Sequence, residues 1–235
     1  MHKTMTTLGG IPLENARLIT GEQATTGAFE EALTRWLPSA SQPGDTIFIF
    51  YCGHGGQIPA RDESEPDGFD EMMSTYDSDS KNPYDTTILD DRLARWLQEL
   101  PGRQIGLMLE TCHGGGVVDG LGMASMMRDE ANRCHDVSQL NTAVITACLP
   151  DEVSRFFKNR PASLMPQFLS DAMRELPKPV SMQQAFDFYR KRLTATLQNN
   201  GAPSYAQAPS LTDHALIPIV LVPADGAAAS TAAKP

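Results

Sequence analysis

The chain has 235 residues, 41% hydrophobic and 20% charged, which is enough to bury the core of one globular domain. Nineteen Lys and Arg against twenty-nine Asp and Glu give a formal net charge of −10, which argues against a protein that binds nucleic acid through a basic face. No apolar run approaches the roughly 18 residues of a membrane span, and the opening residues do not resemble a secretory signal. We therefore expect a cytoplasmic protein with neither nucleic-acid nor membrane partners.

Short apolar runs alternate with longer amphipathic stretches in the first two thirds of the chain, a pattern typical of a parallel sheet wrapped by helices. The fold class is therefore predicted to be α/β, with an open, mostly parallel sheet and helices on both faces. In chain order, the patterns predict a strand at Ala16–Thr20, a helix at Thr25–Leu37 that Pro38 ends, a strand at Thr46–Cys52, a helix at Asp90–Leu100, strands at Ile105–Thr111 and Ala143–Cys148, helices at Leu164–Leu176 and Met182–Leu197, and an edge strand at Leu216–Val222.

Three stretches are predicted to be loops. Gly55–Thr87 is acidic and contains three prolines, and it far exceeds the usual connection of roughly 4 to 6 residues, which marks it as functional or mobile. Gly114–Gly122 is rich in glycine, and Asp129–Asn141 is a polar stretch typical of an exposed linker. Residues 224–235 form a low-complexity, Ala-rich tail that we expect to be disordered.

Reactive side chains follow two of the predicted strands. The letters YCGHGG contain His54 just after the first long apolar strand, and ETCHGGG contains Cys112 just after the next. Because ligands of parallel α/β sheets bind beyond the carboxyl ends of the strands, we expect both residues to face one crevice. An imidazole beside a thiol can accept its proton, and glycines allow a substrate to approach backbone N–H groups. The pair thus predicts nucleophilic catalysis.

Each of these residues also has an ordinary structural interpretation. A single His in a turn is commonly solvated, and a single Cys at a strand end is commonly a small buried side chain; two of them beside glycines at neighbouring strand ends favour catalysis. A zinc site of His54, Cys112 and His113 lacks the spacing of known zinc motifs. Four cysteines are too few for a disulfide framework, and we expect Cys52 to line a pocket and the remaining two to be structural.

The strings IFIFYCGHGGQ and IGLMLETCHGGG closely resemble the histidine and cysteine motifs of the caspase-like cysteine peptidases, specifically metacaspases and bacterial orthocaspases. The resemblance extends through the segments LITGEQAT, EPDGFDE, TILDD and VITACLPDE and covers most of residues 8–222. It implies a caspase-hemoglobinase fold of peptidase C14 type, with His54 and Cys112 as the catalytic dyad. It also implies that the N–H groups of Gly55 and Cys112 stabilise the oxyanion.

The resemblance further implies a substrate pocket and a peptide or protein substrate. In metacaspases, a carboxylate at the position of Glu110 lines the pocket for the side chain before the scissile bond, which implies cleavage after Arg or Lys. The family usually has Asp there, and it usually has Ser where this chain has Cys52 and Gly114. Because Glu is longer than Asp by one methylene group, the resemblance does not determine the depth of this pocket, but it keeps the preference for a basic residue. The alternative is that Glu110 only pairs with a nearby Lys or Arg.

A calcium requirement is also implied by the resemblance, whereas an organic cofactor is not. The family's calcium-binding aspartates match Asp70, Asp90, Asp91 and Asp119 of this sequence. Calcium takes about 6 to 8 oxygen ligands, which four carboxylates with carbonyl groups and water would supply. The alternative is that Asp90 or Asp91 caps a helix and that the acidic loop is solvated surface.

One strand of the family's sheet has no counterpart in this sequence. It would lie between the LIT and IFIF strands, and MHKTMTTLGG contains no apolar strand. We therefore expect an N-terminally incomplete peptidase domain over residues 1–223, with a larger part to about 128, a linker over 129–141 and a smaller part over 142–223. Self-cleavage is expected in that linker, which contains Arg133. The alternative to an active peptidase is an impaired caspase-like fragment that acts as a binding or regulatory module.

Overall fold

The computed structural model describes residues 1–61, 68–114, 117, 141–149, 152, 154, 163–202 and 207–225. The chain divides into two compact units. The first, called here the terminal unit, comprises Met1–Leu18, Arg155–Ala206 and Leu216–Pro235. The second, called the sheet unit, comprises Ile19–Ser154 and Gln207–Ala215 and contains both residues of the candidate dyad.

The helices and strands alternate along the chain as an α/β protein requires. In chain order they are α1 (His2–Thr7), α2 (Thr26–Glu31), a π-helical turn (Ala32–Trp36), α3 (Leu37–Ala40), β1 (Thr46–Cys52), β2 (Gly55–Pro59), β3 (Phe69–Met73), α4 (Pro83–Thr86), β4 (Ile88–Leu89), α5 (Asp90–Gln98), β5 (Gln104–Glu110), β6 (Asn141–Thr146), α6 (Leu164–Glu175), β7 (Val180–Ser181), α7 (Met182–Asn199), β8 (Ser210–Asp213) and β9 (Val220–Val222).

The sheet unit is built on four strands in the order β1-β5-β6-β8. Strands β1, β5 and β6 are parallel, and β8 runs antiparallel to β6. All seven residues of β5 are buried, as expected for a central strand of a parallel sheet. The predicted α/β class with an open, mostly parallel sheet is therefore confirmed.

The core of the sheet unit lies on one face of β1 and β5. Alternate residues of these strands, among them Ile47 and Leu107, pack with Leu33 of the π-helical turn and with α5. Helix α5 contributes Leu93, Trp96 and Leu97, which helical spacing places on one side. Burying each such side chain stabilises the fold by about 1.5–3 kcal/mol, which holds α5 firmly against the sheet.

The predicted helix Thr25–Leu37 is longer than expected. It begins at Thr26, with the Thr25 side chain accepting a hydrogen bond from the Ala28 N–H, and it continues past Pro38 to Ala40. The π-helical turn makes this possible, because Leu37 N–H donates to Ala32 O and Pro38 then falls in the first turn of α3, where a missing N–H is tolerated. The prediction that Pro38 ends the helix is wrong.

The acidic stretch Gly55–Thr87 is not the continuous loop that its length suggested. It contains the antiparallel hairpin of β2 and β3, in which Gly55 pairs with Met73 and Pro59 with Phe69. Strand β4 extends this into a three-stranded sheet, with Met72 opposite Leu89. Glycine, glutamine and acidic residues give this hairpin little strand propensity, so the sequence did not indicate it. The hairpin is stabilised by the pairing between its strands and not by an apolar run.

Two of the predicted strands, Ala16–Thr20 and Leu216–Val222, also differ from expectation. Residues 16–20 form no strand in the described part of the chain, and Leu18 is exposed. A strand needs a hydrogen-bonded neighbour, and among the described residues β1 pairs only with β5. Of Leu216–Val222, only β9 forms a strand; it follows Pro218 and pairs with β7 in the terminal unit.

The terminal unit is built around α6 and α7, which pack against each other. Helix α7 begins with a complete capping box between Ser181 and Gln184, which satisfies two backbone N–H groups. Helix α1 is attached by a 2.9 Å hydrogen bond between the hydroxyl groups of Thr4 and Ser170. None of the helices in the described residues has the length and apolar character needed to cross a membrane.

Candidate active site

His54 and Cys112 lie beyond the carboxyl ends of two neighbouring parallel strands. Cys52, the last residue of β1, is in register with Glu110, the last residue of β5. His54 and Cys112 each lie two residues after the end of their strand, so the two segments leave the sheet side by side. The His54 side chain is exposed and Cys112 is partly buried.

The segments that carry these two residues are in direct contact. Gly53 N–H donates a 3.2 Å hydrogen bond to Glu110 O. A Cβ atom on Gly55 would lie 2.5 Å from Cys112 O and would overlap Thr111 Oγ1. Gly55 therefore rests on the backbone of Cys112 at a distance that only glycine permits, and this contact joins the histidine segment to the cysteine segment.

Backbone hydrogen bonds hold the histidine segment from its other side. Ser74 N–H donates to His54 O at 2.9 Å. The hydroxyl of Tyr51, a buried residue of β1, lies 2.7 Å from His54 O and 2.7 Å from Ser74 O. Burial, with a smaller contribution from Cys52, raises the pKa of Tyr51 above its ordinary value, so this hydroxyl keeps its proton and remains a donor.

The β2–β3 ladder leaves one backbone donor pointing out of the hairpin. Because Ser74 N–H bonds to His54 O, residues 54 and 74 form a hydrogen-bonded pair, and Gly55 with Met73 forms the intervening non-hydrogen-bonded pair. In an antiparallel ladder the N–H of such a residue points away from its partner strand. The Gly55 N–H is thus directed away from β3, at the residue that contacts Cys112.

The cysteine segment is anchored by residues that follow β6. Cys148 is fully buried, and its thiol donates to Thr111 O at 3.2 Å and to Glu152 O at 3.4 Å. His113 N–H donates to the same Glu152 O at 3.0 Å. His113 has a φ of 57°, a left-handed conformation that costs a non-glycine residue on the order of 1–3 kcal/mol. This tight turn follows Cys112 directly.

Cys148 differs chemically from the candidate nucleophile, as the sequence predicted for a structural thiol. Burial raises the pKa of Cys148 from 9.0 to about 11, so it is a neutral thiol at physiological pH. A neutral, fully buried thiol is a poor nucleophile. Cys134, the other cysteine predicted to be structural, lies outside the described residues.

The two residues predicted to line a substrate pocket lie on one face of the sheet. Cys52 and Glu110 are in register, and strand alternation puts both on the face opposite to Tyr51 and Leu109, which belong to the core. Cys52 is exposed, whereas Glu110 is only 4% exposed. A largely buried carboxylate at this position attracts cationic groups more strongly than a solvated carboxylate would.

Three of the four predicted calcium ligands lie in described residues. Asp70, in β3, is 7% exposed; Asp90 is completely buried and Asp91 is exposed in the first turn of α5. The pairing of Met72 with Leu89 brings β3 alongside the start of α5, so Asp70 and these two aspartates lie at the same end of the small sheet. Asp119 lies outside the described residues.

The described residues contain no cluster of three or more His, Cys, Asp or Glu side chains close enough to hold a metal ion. His54, Cys112 and His113 are all described, so the structure does not support the zinc alternative. Asp70, Asp90 and Asp91 are described as well and form no such cluster by themselves, so a calcium site at this end of the small sheet would need further oxygen ligands.

Two features of the site were not predicted from the sequence. The first is the contact of the Tyr51 hydroxyl with Ser74, which depends on a hairpin that the sequence did not indicate. The second is the pair of Gln57 and Glu71, whose side chains are joined by a 3.0 Å hydrogen bond; Glu71 is 3% exposed. The sequence signal that could have identified Tyr51 is strand alternation, which puts this residue on the buried face of β1.

Part of the chain is similar in sequence to known proteins. Residues 13–121 match the family described as metacaspase, peptidase C14 domain. Metacaspase-1 of Schizosaccharomyces pombe is 38% identical over 87 residues, which cover 36% of this chain and 20% of that protein. Metacaspase-1A of Aspergillus oryzae is 32% identical over 117 residues, covering 47% of this chain and 27% of its own. The chain thus matches about a quarter or less of these relatives' length.

A solved structure extends the likeness in fold. The crystal structure of a protein from Geobacter sulfurreducens has a TM-score of 0.56 and 19% sequence identity, covering 83% of this chain and 75% of its own. At this identity the match concerns the fold alone. The histidine and cysteine segments both lie within residues 13–121, the range that is similar to the metacaspase, peptidase C14 domain.

Proposed function

We propose that this protein is a cysteine endopeptidase in which Cys112 is the nucleophile and His54 is the general base and acid. The observation that carries the proposal is the contact of Gly55 with the Cys112 backbone, which joins the two segments beyond aligned strand ends. Thiol and imidazole are the pair that acyl transfer requires, and both side chains have access to solvent.

Peptide-bond cleavage by this pair takes place in two steps. His54 accepts the proton of the Cys112 thiol as Sγ attacks the scissile carbonyl carbon, and it then gives that proton to the departing amine. The C–N bond breaks, and a thioester remains on Cys112. A water molecule, deprotonated by His54, hydrolyses the thioester, releases the new carboxylate and regenerates the thiol.

The negative charge on the carbonyl oxygen needs backbone donors in this scheme. We assign this role to the N–H groups of Gly55 and Cys112. The β2–β3 ladder directs the Gly55 N–H away from β3, and this direction supports its role as a donor to the oxyanion. Removing one such donor from a peptidase typically costs about 10²–10³ in kcat, so the position of this strand end matters for the rate.

We propose further that the enzyme cleaves after Arg or Lys, with Glu110 and Cys52 lining the pocket. A nearly buried carboxylate beside an exposed residue of the neighbouring strand suits a guanidinium or ammonium group. An Asp side chain before the scissile bond would bring two carboxylates together, which is unfavourable in a poorly solvated pocket. The substrate class is therefore peptides and proteins with an exposed basic residue.

Calcium is proposed as an activator that Asp70, Asp90, Asp91 and Asp119 would hold. The burial of Asp70 and Asp90 at one end of the small sheet supports this assignment. When bound, a calcium ion would supply positive charge that offsets the repulsion among these carboxylates. Asp70 lies in β3 of the β2–β3 hairpin, whose first strand contains Gly55, and Asp90 and Asp91 directly follow β4, which pairs with β3.

The test is hydrolysis of two matched fluorogenic peptides, one with Arg and one with Asp before the reporter, with and without calcium. The proposal predicts calcium-stimulated cleavage of the Arg peptide, which Cys112→Ala and His54→Ala each abolish. Cys134→Ala is the control substitution of another cysteine and should retain activity. Cleavage that survives Cys112→Ala contradicts the dyad. A folded wild-type protein that cleaves neither peptide supports the impaired binding module instead.

A further inference from the structure

We propose that Tyr51 is a positioning residue that holds the backbone of His54 through its hydroxyl group, an inference that rests on the proposed function of His54. The hydroxyl lies 2.7 Å from His54 O and 2.7 Å from Ser74 O. Tyr51 is only 6% exposed, so water does not replace these contacts. One phenolic hydrogen thus serves two carbonyl groups, one in each of the chain segments that meet beside His54.

Two hydrogen bonds converge on the carbonyl group of His54. His54 O accepts from Ser74 N–H at 2.9 Å and also from the Tyr51 hydroxyl. The first bond attaches His54 to the end of β3, and the second attaches it to the core face of β1. Without the hydroxyl, the carbonyl oxygens of His54 and Ser74 would face each other with one donor fewer, and a buried acceptor that loses a donor destabilises the arrangement around it.

Packing keeps the Tyr51 ring in place independently of its hydroxyl. The ring belongs to the core of the sheet unit and meets Phe29 of α2 edge to face, with ring centroids 6.0 Å apart. Phenylalanine at this position would keep the ring contacts and lose only the hydrogen bonds. Tyr51→Phe therefore isolates the role of the hydroxyl.

Gly53 is adapted to the same hydroxyl. A Cβ atom on Gly53 would lie 2.5 Å from the Tyr51 hydroxyl oxygen and 2.8 Å from the ring carbon that bears it. Alanine at position 53 should therefore displace the hydroxyl from His54 O. Because Tyr51→Phe removes the closest of these contacts, Gly53→Ala should cost less in a Tyr51→Phe background than in the wild type, which a double-mutant cycle measures.

The effect on catalysis follows from geometry. A displacement of roughly 1 Å in a catalytic group can cost about 10² in rate, and relaxing one hydrogen bond shifts the backbone by a fraction of that. Tyr51→Phe should lower kcat by roughly 10-fold and leave KM within about twofold, because the hydroxyl lies on the core side of β1, away from the proposed pocket. A purely structural role would lower thermal stability without this separation of kcat from KM.

Tyr84 provides a matched control. Its hydroxyl also donates to a backbone carbonyl, that of Pro59 at the far end of β2. Tyr84→Phe thus removes the same atom and the same kind of bond from the same hairpin, away from His54. Both variants are purified, and their folding is compared with the wild type by circular dichroism and thermal unfolding.

The experiment measures Arg-peptide hydrolysis and, independently of substrate, the rate at which iodoacetamide alkylates Cys112 near neutral pH, followed by peptide mass spectrometry. Imidazole activation of the thiol makes this rate depend on His54. We expect Tyr51→Phe to lower both rates towards those of His54→Ala, whereas Tyr84→Phe matches the wild type. If Tyr51→Phe fails to fold, Gly53→Ala replaces it in the same two assays.

The outcomes separate the inference from the proposed function. If His54→Ala lowers alkylation of Cys112 but Tyr51→Phe behaves like Tyr84→Phe, the positioning role is wrong and the dyad stands. If His54→Ala leaves alkylation unchanged and the wild type hydrolyses nothing, the proposed function is wrong and the inference falls with it. If hydrolysis is absent but alkylation depends on His54, the alkylation rates alone decide the role of Tyr51.

Discussion

Replacing Gly55 by alanine is expected to push the histidine and cysteine segments apart. The added Cβ would lie 2.5 Å from Cys112 O, 3.3 Å from Met72 O and in overlap with Thr111 Oγ1. Two of these atoms belong to the backbone, and Thr111 is only 2% exposed, so no flexible group is free to move aside. To restore even a 3.0 Å contact, Gly55 and Cys112 O must separate by about 0.5 Å.

The expected magnitudes follow from that displacement. If about 1 Å costs about 10² in rate, a half-ångström separation should lower kcat/KM by roughly 10-fold or more. Overpacking costs about 1–3 kcal/mol of unfolding free energy, partly offset by about 0.4–1 kcal/mol because alanine restricts the unfolded chain. The assays are kcat/KM on the Arg peptide and urea unfolding.

Gly56→Ala is the matched control, because it adds the same methyl group one residue along β2. Its Cβ would meet the terminal methyl of Met72 at 3.0 Å, and this flexible side-chain end can move. We expect kcat/KM within about twofold of the wild type. If Gly55→Ala proves as active as Gly56→Ala, the contact between the two segments does not determine catalytic geometry.

Three further predictions concern charge. The pKa of Cys148 is raised to about 11 by burial, so the folded state holds this proton more tightly than the unfolded state; its contribution to stability is intact below pH 9.0 and declines as pH rises towards 11. Urea unfolding across this range should show the decline in the wild type relative to Cys148→Ala, and a difference that does not vary with pH would contradict it. Glu110→Gln should lower kcat/KM for the Arg peptide by about 10–100-fold, the loss of one charge-assisted hydrogen bond, and an unchanged value would remove Glu110 from the pocket. Titration calorimetry should detect calcium binding that the Asp90→Asn, Asp91→Asn double variant weakens, and equal affinity in both proteins would leave these residues as helix-end and surface groups.

Local sequence predicted the elements whose stability depends on their own residues. Strand β1 has the predicted bounds, Thr46–Cys52, because its apolar run ends sharply at Gly53. Helix α5 begins at Asp90 as predicted, and its apolar spacing identified the side that packs on the sheet. The positions of His54 and Cys112 beyond neighbouring strands followed from the same strand boundaries.

Features that depend on distant pairing could not be predicted in this way. Strand β3 has two adjacent acidic residues and no alternating apolar pattern, and each of its residues pairs with a β2 residue ten or more positions away. The strand predicted at Ala16–Thr20 has strand-like residues, but among the described residues it has no neighbouring strand to pair with. Strand β8 reads as a polar stretch, and it became a strand because β6 offers it an edge. The residues of a segment indicate its strand propensity, but a strand forms only where a partner strand is available to pair with it.

The most direct test of the dyad is covalent capture of Cys112 by a peptide that ends in an arginine chloromethyl ketone. The thiolate displaces chloride and leaves a stable thioether, which peptide mass spectrometry locates among the four cysteines. The dyad predicts a single adduct at Cys112, formed much more slowly in His54→Ala and not formed in Cys112→Ala. An adduct at another cysteine, or labelling of Cys112 at the same rate without His54, would contradict it.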